Sequence, residues 1–307
     1  MAHRILLDVS SMTYRAYFAM KDTGVFAPDG RPMGALHGYL DMVSRLLVSR
    51  RPDEIIHAYD HDWRPMARTQ IYAGYKEGRP DEPEDLTPQF ALLREVLDFT
   101  GMTQIQAPDW EAEDAIGAFC AKADPADTLE IVSGDRDLLQ LVRDTPPPIK
   151  VLYTVRGVSD LHEFDEAAVL AKYGVPASRY AEFAILRGDP SDGLPGVQGV
   201  GEKTALALVQ AYPDIDAMLA DAASESPQAG PMKGKPALRA RLLASADYLD
   251  AMRRLVPINV DAQLDVWNGD RWDEAIHALA EEHGLKGPVQ RLLAALDSVA
   301  GSAGEGA

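Results

Sequence analysis

Three short hydrophobic runs in the first half of the chain each end on or beside an aspartate. The runs are Arg4 to Val9 (RILLDV), Glu54 to Asp60 (EIIHAYD) and Thr128 to Asp135 (TLEIVSGD). Short runs rich in Ile, Leu and Val are typical of strands that are covered on both faces of a sheet. We therefore predict three buried strands that place Asp8, Asp60 and Asp135 at their carboxyl ends.

Helical periodicity fills the stretches between these strands. It is found at Ala35 to Leu47, Pro88 to Thr100 and Glu113 to Ala123. Alternation of strand and helix predicts an α/β fold with a mostly parallel central sheet and helices on both faces. Because ligands of such sheets gather outside the carboxyl ends of the strands, we expect the three aspartates to converge on one site.

Helical patterns dominate from about Asp165 onward, where the strand signal fades. They lie at Glu166 to Tyr173, Tyr180 to Leu186, Lys203 to Tyr212, Arg239 to Met252 and Trp272 to Glu282. We predict an α/β core over 1–164, a mainly helical lobe over 165–297 and a flexible tail over 298–307. The stretch 222–236 is rich in Gly, Pro, Ser and Ala, and we expect it to form a mobile surface loop.

The overall charge argues against a simple nucleic-acid binder. The chain has 307 residues, with 48 Asp and Glu against 30 Lys and Arg, and a net charge of −18. Nucleic-acid binders are expected to be basic, so positive charge must be concentrated locally or metal ions must neutralise the acids. A single cysteine, Cys120, excludes an intrachain disulfide. Without a signal peptide or an apolar run of about 20 residues, the chain is expected to be soluble and cytoplasmic.

Local positive charge is found between Asp60 and Pro88. The basic residues of this segment are Arg64, Arg68, Lys76 and Arg79, and the aromatic residues among them are Trp63, Tyr72 and Tyr75. Positive charge together with aromatic rings favours contacts with the phosphates and bases of a single strand. The segment therefore answers part of the objection raised by the net charge.

Nine acidic residues are candidates for a metal centre. They are Asp8, Asp60, Glu111, Glu113, Asp114, Asp135, Asp137, Asp189 and Asp192. So many carboxylates at one site would raise each other's pKa unless cations neutralise them. Oxygen ligands without paired His or Cys favour Mg²⁺ or Mn²⁺ over zinc. Two such ions about 4 Å apart can clamp the attacking and leaving oxygens of a phosphoryl displacement. Any one of these acids, taken alone, is more simply a surface carboxylate.

A glycine-rich turn, Gly196 to Thr204 (GVQGVGEKT), has three interpretations. It nearly matches a nucleotide-binding P-loop, but Glu202 separates Gly201 from Lys203 and the turn does not follow a strand. It also fits a hairpin between two helices that offers backbone N–H groups to a DNA phosphate. A helix cap without any ligand is the third interpretation.

Five sequence blocks together resemble the 5′-nucleases, that is, the flap endonucleases and the N-terminal 5′-exonuclease domain of bacterial DNA polymerase I. The blocks are LLDVSSMTYRAYFAM (Leu6 to Met20), IYAGYKEGRP (Ile71 to Pro80), DWEAEDAIGAF (Asp109 to Phe119), IVSGDRDLLQLV (Ile131 to Val142) and LRGDPSDGLPGVQGVGEKTA (Leu186 to Ala205). They occur in the family's order and cover roughly Met1 to Leu255. The resemblance implies a PIN-like nuclease core, a helical arch at about 61–88 and a helix–three-turn–helix motif at about 183–212.

The resemblance also implies roles for individual residues. Eight of the acids match the family's metal-binding acids and Asp114 matches the acid beside them, so two or more divalent cations, Mg²⁺ or Mn²⁺, are expected there. The expected catalytic residues are Lys76, Arg79, Asp135 and Asp137. The expected DNA contacts are Arg15, Arg68, Tyr72, Tyr75, Lys76, Arg79, Gly196, Gly199, Val200, Gly201, Lys203 and Thr204. In this family the glycine hairpin can also bind K⁺ through backbone carbonyls.

Three positions depart from the family's pattern. Glu113 stands where bacterial members commonly have Asp, so the metal position or preference is expected to shift. One extra residue lies between Asp60 and Arg68, which leaves the register of the arch open there. Gly193 replaces the usual Asn after Asp192, and we expect it to loosen that turn.

The expected function is that of a structure-specific 5′-nuclease, a flap endonuclease and 5′-3′ exonuclease acting in DNA replication and repair. Its expected substrates are branched DNA with a 5′ flap and nicked or RNA-primed duplex, cut with two metal ions. No polymerase region follows residue 300, so a stand-alone, monomeric bacterial member associated with the nucleoid is expected. The alternative is a non-catalytic protein that binds DNA junctions, which would keep the basic segment and the hairpin but lose metal ligands.

Overall fold

A seven-stranded mixed sheet forms the centre of the protein in a computed structural model that describes residues 1–225 and 230–303, with side chains up to 300. The strands are β1 (His3–Asp8), β2 (Glu54–Tyr59), β3 (Thr103–Gln106), β4 (Thr128–Ser133), β5 (Ile149–Thr154), β6 (Leu161–Phe164) and β7 (Asp265–Asn268). Their spatial order is β6-β5-β4-β1-β2-β3-β7. The five central strands are parallel, and the edge strands β6 and β7 are antiparallel to their neighbours.

Helices cover both faces of this sheet and form the second lobe. Those before the lobe are α1 (Val9–Met20), α2 (Gly34–Arg50), α3 (Met66–Ile71), α4 (Thr87–Asp98) and α5 (Ala112–Lys122). Those that follow are α6 (Glu166–Tyr173), α7 (Tyr180–Arg187), α8 (Glu202–Ala211), α9 (Ile215–Ala223), α10 (Pro236–Ala244), α11 (Ala246–Leu255), α12 (Asp273–Glu282) and α13 (Lys286–Ala303). The predicted α/β fold with a mostly parallel sheet and a mainly helical lobe is confirmed. Among the described helices, none is both long and apolar enough to cross a membrane.

Alternation along the strands decides which residues reach the site. On β1, Leu7 packs into the core formed with α2, whereas Leu6 packs into the core that also contains residues of α5, α7 and α8. Because side chains alternate between the faces of a strand, Asp8 emerges on the same face as Leu6. The core on that face continues from the sheet into the lobe, for example from Leu6 to Phe183. The lobe is therefore fixed against the sheet at the face to which the acid points.

The C-terminal segment returns to the sheet instead of staying in the helical lobe. Strand β7 pairs antiparallel with β3, and α13 packs against α2. The Trp267 ring stacks on Tyr59 with centroids 6.0 Å apart, and the Arg94 guanidinium lies 4.7 Å from the Trp267 centroid. Within the lobe predicted over 165–297, β7 and α13 therefore also contact the sheet and α2, because β7 covers the edge of β3 that would otherwise be unpaired.

Two local predictions also differ from the structure. The helix predicted from Arg239 to Met252 is divided at Ser245 into α10 and α11. Helix α13 runs to Ala303 and so includes 298–303 of the predicted tail. The rest of that tail, and 226–229 of the predicted mobile loop, lie outside the described residues.

Candidate metal centre and DNA-binding surface

The acids at the ends of β1 and β2 are held in place by hydrogen bonds from neighbouring elements. Asp8 is the N-cap of α1 and accepts hydrogen bonds from the Ser11 amide at 3.0 Å and from the Ser133 hydroxyl at 2.7 Å. Asp60 accepts one from the Ala112 amide at 2.7 Å, at the start of α5. These contacts join the carboxyl end of β1 to that of β4, and the carboxyl end of β2 to α5. The predicted convergence of strand-end acids is therefore present in the structure.

The start of α5 supplies the next three acids. Glu111 is the N-cap, and it forms a capping box with Asp114 in which the Glu111 amide donates to the Asp114 carboxylate at 3.2 Å. Glu113 lies in the first turn of the helix. The chain passes from loop to helix between Glu111 and Glu113, which lets both side chains face the centre although they are two residues apart.

Arg68 lies inside this group of acids. Its side chain is only 2% exposed, and its guanidinium lies 2.6 Å from Glu113 Oε1 and 2.9 Å from Asp114 Oδ1. It also forms an ion pair with Glu111. We predicted a DNA contact for Arg68, but in this structure the residue is a buried counter-ion. Charge in the sequence could not reveal this, because only the fold shows that three carboxylates lie close together and need an internal cation.

The loop after α3 is folded onto the same acids. Tyr75 is 2% exposed and donates its hydroxyl hydrogen to Glu111 at 2.6 Å, and Lys76, 6% exposed, forms an ion pair with Glu111. Arg64 fixes the loop by donating to the carbonyls of Tyr75 at 2.8 Å and Ala73 at 2.7 Å. Buried in this way, Tyr75 has no open ring face for the stacking expected from the sequence. The arch expected at about 61–88 thus contains α3 and the first two residues of α4.

A second group of acids lies beside the first. Glu113, Asp135 and Asp137 have ligand oxygens that all lie within 4.8 Å of one another. Asp135 and Asp137 follow β4, and the Asp137 amide donates to Asp135 Oδ1 at 2.8 Å. Over the described part of the chain, no hydrogen-bond donor reaches the Asp137 carboxylate. Carboxylate oxygens that lie this close together are suitable ligands for a hard divalent cation.

The pKa values of Asp8, Asp135 and Asp137 are raised, because these carboxyl groups are shielded from solvent and lie close to other acids. Burial, followed by repulsion from Asp60, raises the pKa of Asp8 to about 7. Burial and then Glu113 raise the pKa of Asp135 to about 6. The pKa of Asp137 is well above its ordinary value through burial and the charge of Asp135. A bound cation would favour the ionised forms, so the donor set fits a divalent metal ion.

Asp189 and Asp192 complete the cluster from the lobe. Asp192 Oδ1 accepts a hydrogen bond from Arg79 at 2.7 Å, and burial raises the pKa of Asp192. Asp189 Oδ2 lies 3.9 Å from Arg136 and 4.0 Å from Arg187. Both aspartates add to the raised pKa of Asp137. All nine acids predicted from the sequence therefore lie in one connected region.

Gly193 allows the loop after α3 to reach this region. Its φ is +72°, and a Cβ built on it would lie 2.4 Å from the carbonyl oxygen of Gly74. Directly beside it, the Lys76 amide donates to the Asp192 carbonyl at 2.9 Å. We expected Gly193 to loosen its turn. In the structure, the missing side chain of Gly193 instead allows the backbone at 192–193 to contact the backbone at 74–76.

Gly193→Ala should therefore weaken the attachment of this loop. The left-handed φ and the contact with Gly74 should together cost about 1–3 kcal/mol of unfolding free energy. Urea unfolding measures the loss, and tryptic cleavage after Lys76 should become faster. Gly78→Ala is the matched control, because no atom lies within 4 Å of a Cβ at that position. Equal stability and equal cleavage rates for the two variants would contradict this role.

The glycine turn joins α7 to α8 and rests on α11. The Gly196 amide donates to the Tyr248 hydroxyl at 3.0 Å. The Val200 side chain is buried, and the Val200 amide donates to the Val197 carbonyl at 2.9 Å. Neither the side chain nor the amide of Val200 is therefore available for the expected DNA contact. Lys203 is exposed in the first turn of α8. Since the turn follows a helix and not a strand, the P-loop interpretation is excluded.

Of the remaining expected DNA contacts, Arg15 lies beside the acids and Tyr72 beside the lobe. Arg15 donates to the Val155 carbonyl at 3.0 Å, and its Nη2 would lie 2.8 Å from a Cβ built on Gly134. The Tyr72 ring meets the Tyr248 ring edge-on, with centroids 6.5 Å apart.

Sequence reasoning missed several residues that hold the site together. The Ser133 hydroxyl donates a hydrogen bond to Asp8, and the Tyr248 hydroxyl accepts one from the Gly196 amide of the glycine turn. The Asn259 amide donates to Asp114 at 2.8 Å. Only Ser133 had a local signal, because it lies two residues before Asp135 at a strand end. Tyr248 and Asn259 come from distant parts of the chain.

Two protein-family models together match most of the chain. Residues 3–174 match the 5′-3′ exonuclease N-terminal resolvase-like domain, and residues 175–274 match the 5′-3′ exonuclease C-terminal SAM fold. A 5′-3′ exonuclease of Streptomyces coelicolor is 41% identical over 308 residues, covering 95% of this chain and 99% of that protein. One of Mycobacterium tuberculosis is 38% identical and covers 97% of this chain and 98% of that protein.

Solved structures have the same fold at low sequence identity. The flap endonuclease of bacteriophage T5, in a complex with DNA and metal ions, matches with a TM-score of 0.65 at 16% identity. That match covers 96% of this chain and 99% of the phage protein. The catalytic core of Rad2 in complex with DNA substrate matches with a TM-score of 0.60 at 17% identity. That match covers 96% of this chain and 92% of the Rad2 catalytic-core chain.

Proposed function

Because the chain belongs to the 5′-3′ exonuclease family, we propose that it hydrolyses phosphodiester bonds near the 5′ ends of branched or nicked duplex DNA. The observation that carries this proposal is the group formed by Glu113, Asp135 and Asp137, whose oxygens lie within 4.8 Å of one another at the carboxyl edge of the sheet. A protein that only bound DNA junctions would have no use for so many half-buried acids held this close together, because their mutual repulsion is costly.

We propose Mg²⁺ or Mn²⁺ as the metal, held by the acids at the strand ends and by those of the lobe. When bound, such ions lower the pKa of a water molecule and stabilise charge on the leaving oxygen. The chain itself would supply the ligands, together with positive charge from Lys76 and Arg79, which are anchored on Glu111 and Asp192. Cations fixed in advance beside the reacting phosphate stabilise charge as it develops.

The lobe would position the DNA. We propose that residues 196–204 grip the duplex through its phosphates and bind K⁺ through backbone carbonyls, as the family resemblance implies. The segment 61–88 would guide the 5′ strand toward the acids. In this arrangement 1–164 with 265–303 is the catalytic core, and the helices between them form the DNA-binding lobe. We further propose a monomer that acts in the cytoplasm at the nucleoid, in replication and repair.

A panel of labelled substrates tests this function. Flap, nicked, gapped and RNA-primed duplexes are incubated with pure protein and Mg²⁺ or Mn²⁺. We expect cleavage near the 5′ end, fastest on the flap, and complete loss of cleavage in EDTA. Replacing K⁺ by Na⁺ should weaken duplex binding without changing the cleavage position. Binding without cleavage on every substrate would instead favour the junction-binding alternative.

A further inference from the structure

One arginine from outside the glycine turn lies directly on it. Arg241, in the last turn of α10, is exposed and packs against Gly199. A Cβ built on Gly199 would lie 2.3 Å from Arg241 Nη1 and 3.0 Å from its Cζ. The guanidinium thus occupies the place where any other residue at position 199 would carry a side chain.

The guanidinium of Arg241 has no partner among the side chains that the structure describes. Within 1–225 and 230–300, the Arg241 side chain forms neither an ion pair nor a hydrogen bond. Its neighbour Arg239 donates instead to the carbonyls of Ala222, at 3.0 Å, and Ser224. Arg254, on the next helix, is paired with Asp250 at 3.5 Å. Arg241 therefore differs from these arginines in having its donors available.

The surroundings of Arg241 indicate the chemistry of its ligand. Arg241 and the Gly199 that it contacts are both exposed, as are Gln198 and Lys203 of the same turn, so the charge lies on the outer surface of the turn. A guanidinium offers parallel donors that match two phosphate oxygens, and it carries no information about the base. A backbone phosphate fits this position better than a base edge does.

We propose that Arg241 binds a phosphate of the duplex beside the glycine turn and so strengthens the grip of the lobe on the duplex. This inference rests on the proposed function, because it assumes that the turn faces duplex DNA. It assigns to α10, which lies outside the hairpin, a direct part in the grip. Its effect is on affinity alone, since the residue does not belong to the acidic centre.

Fluorescence anisotropy with a labelled flap duplex, titrated in NaCl without potassium, tests the inference. Arg241→Ala should weaken binding about tenfold, the equivalent of one charge-assisted hydrogen bond. The slope of log Kd against log salt should fall by about 0.9, the value for one lost phosphate contact. Arg241→Lys should keep the slope, and the single-turnover rate at saturating protein should not change.

Arg254→Ala is the matched control, because it removes the same charge from an exposed arginine of the same lobe. An Arg241→Ala protein that melts like the wild type but has the affinity and salt slope of Arg254→Ala would overturn the inference. A wild-type protein that binds the duplex without cutting it would instead overturn the proposed function. The Arg241 result would remain interpretable in that case, since it is measured by binding alone.

Discussion

Asp135→Asn is expected to reduce the single-turnover rate of flap cleavage by roughly a thousandfold or more, while DNA affinity stays within about threefold of the wild type. Asp135 is one of three residues whose oxygens lie within 4.8 Å of one another. The amide removes a negative ligand, and a loss of about 4 kcal/mol of transition-state stabilisation corresponds to three powers of ten in rate. Binding should persist because the glycine turn and Arg241 are unchanged.

Rapid-quench measurements with labelled flap DNA give the rate, and anisotropy in Ca²⁺ gives the affinity. Asp270→Asn is the control, because it makes the same chemical change at an exposed position after β7. Cleavage by Asp135→Asn at a rate near that of Asp270→Asn would show that the metal lies elsewhere. Loss of DNA binding together with cleavage would point to a folding defect instead.

Arg68→Met is expected to lower the free energy of unfolding by about 3–5 kcal/mol in EDTA. The substitution leaves Glu111, Glu113 and Asp114 without the buried cation that contacts all three. Methionine has a similar length, so lost packing makes a small contribution to this change. Added Mg²⁺ should restore part of the stability, since a divalent cation can neutralise the same carboxylates.

Urea unfolding followed by far-UV circular dichroism measures this effect. Arg254→Met is the comparison, because Arg254 pairs with Asp250 at the surface and its loss should cost at most about 1 kcal/mol. Arg68→Lys should lie between the wild type and Arg68→Met, since lysine keeps the charge but cannot reach several acids at once. A loss below 1 kcal/mol for Arg68→Met would contradict the role of buried counter-ion.

Several acids of the centre could be placed together from the sequence because they follow strong local patterns. The strands β1, β2 and β4 are short hydrophobic runs, and parallel strands bring their carboxyl ends to one edge. Asp8, Asp60 and Asp135 could therefore be placed together without any knowledge of the distances. The turn from loop to helix at Glu111 follows from the same reasoning about local structure.

The partners of those acids are much harder to predict. Arg68 lies 43 positions from Glu111 along the chain, and a basic residue in a polar segment has the same local pattern whether it faces DNA or three carboxylates. Strand β7 is likewise set by tertiary structure, because DVWN pairs with β3 and Trp267 stacks on Tyr59. Gly193 shows a third limit, since its close approach to Gly74 exists only in three dimensions.

The dependence of flap cleavage on divalent metal tests the central claim most directly. Single-turnover rates on a labelled 5′-flap duplex are measured as Mg²⁺ is raised from zero in metal-depleted buffer. We predict no cleavage without metal, a saturable rise in rate as Mg²⁺ is added, and no such rise for Asp135→Asn. Cleavage by the pure wild-type protein in EDTA at its full rate, or no cleavage at any Mg²⁺ or Mn²⁺ concentration, would contradict the account.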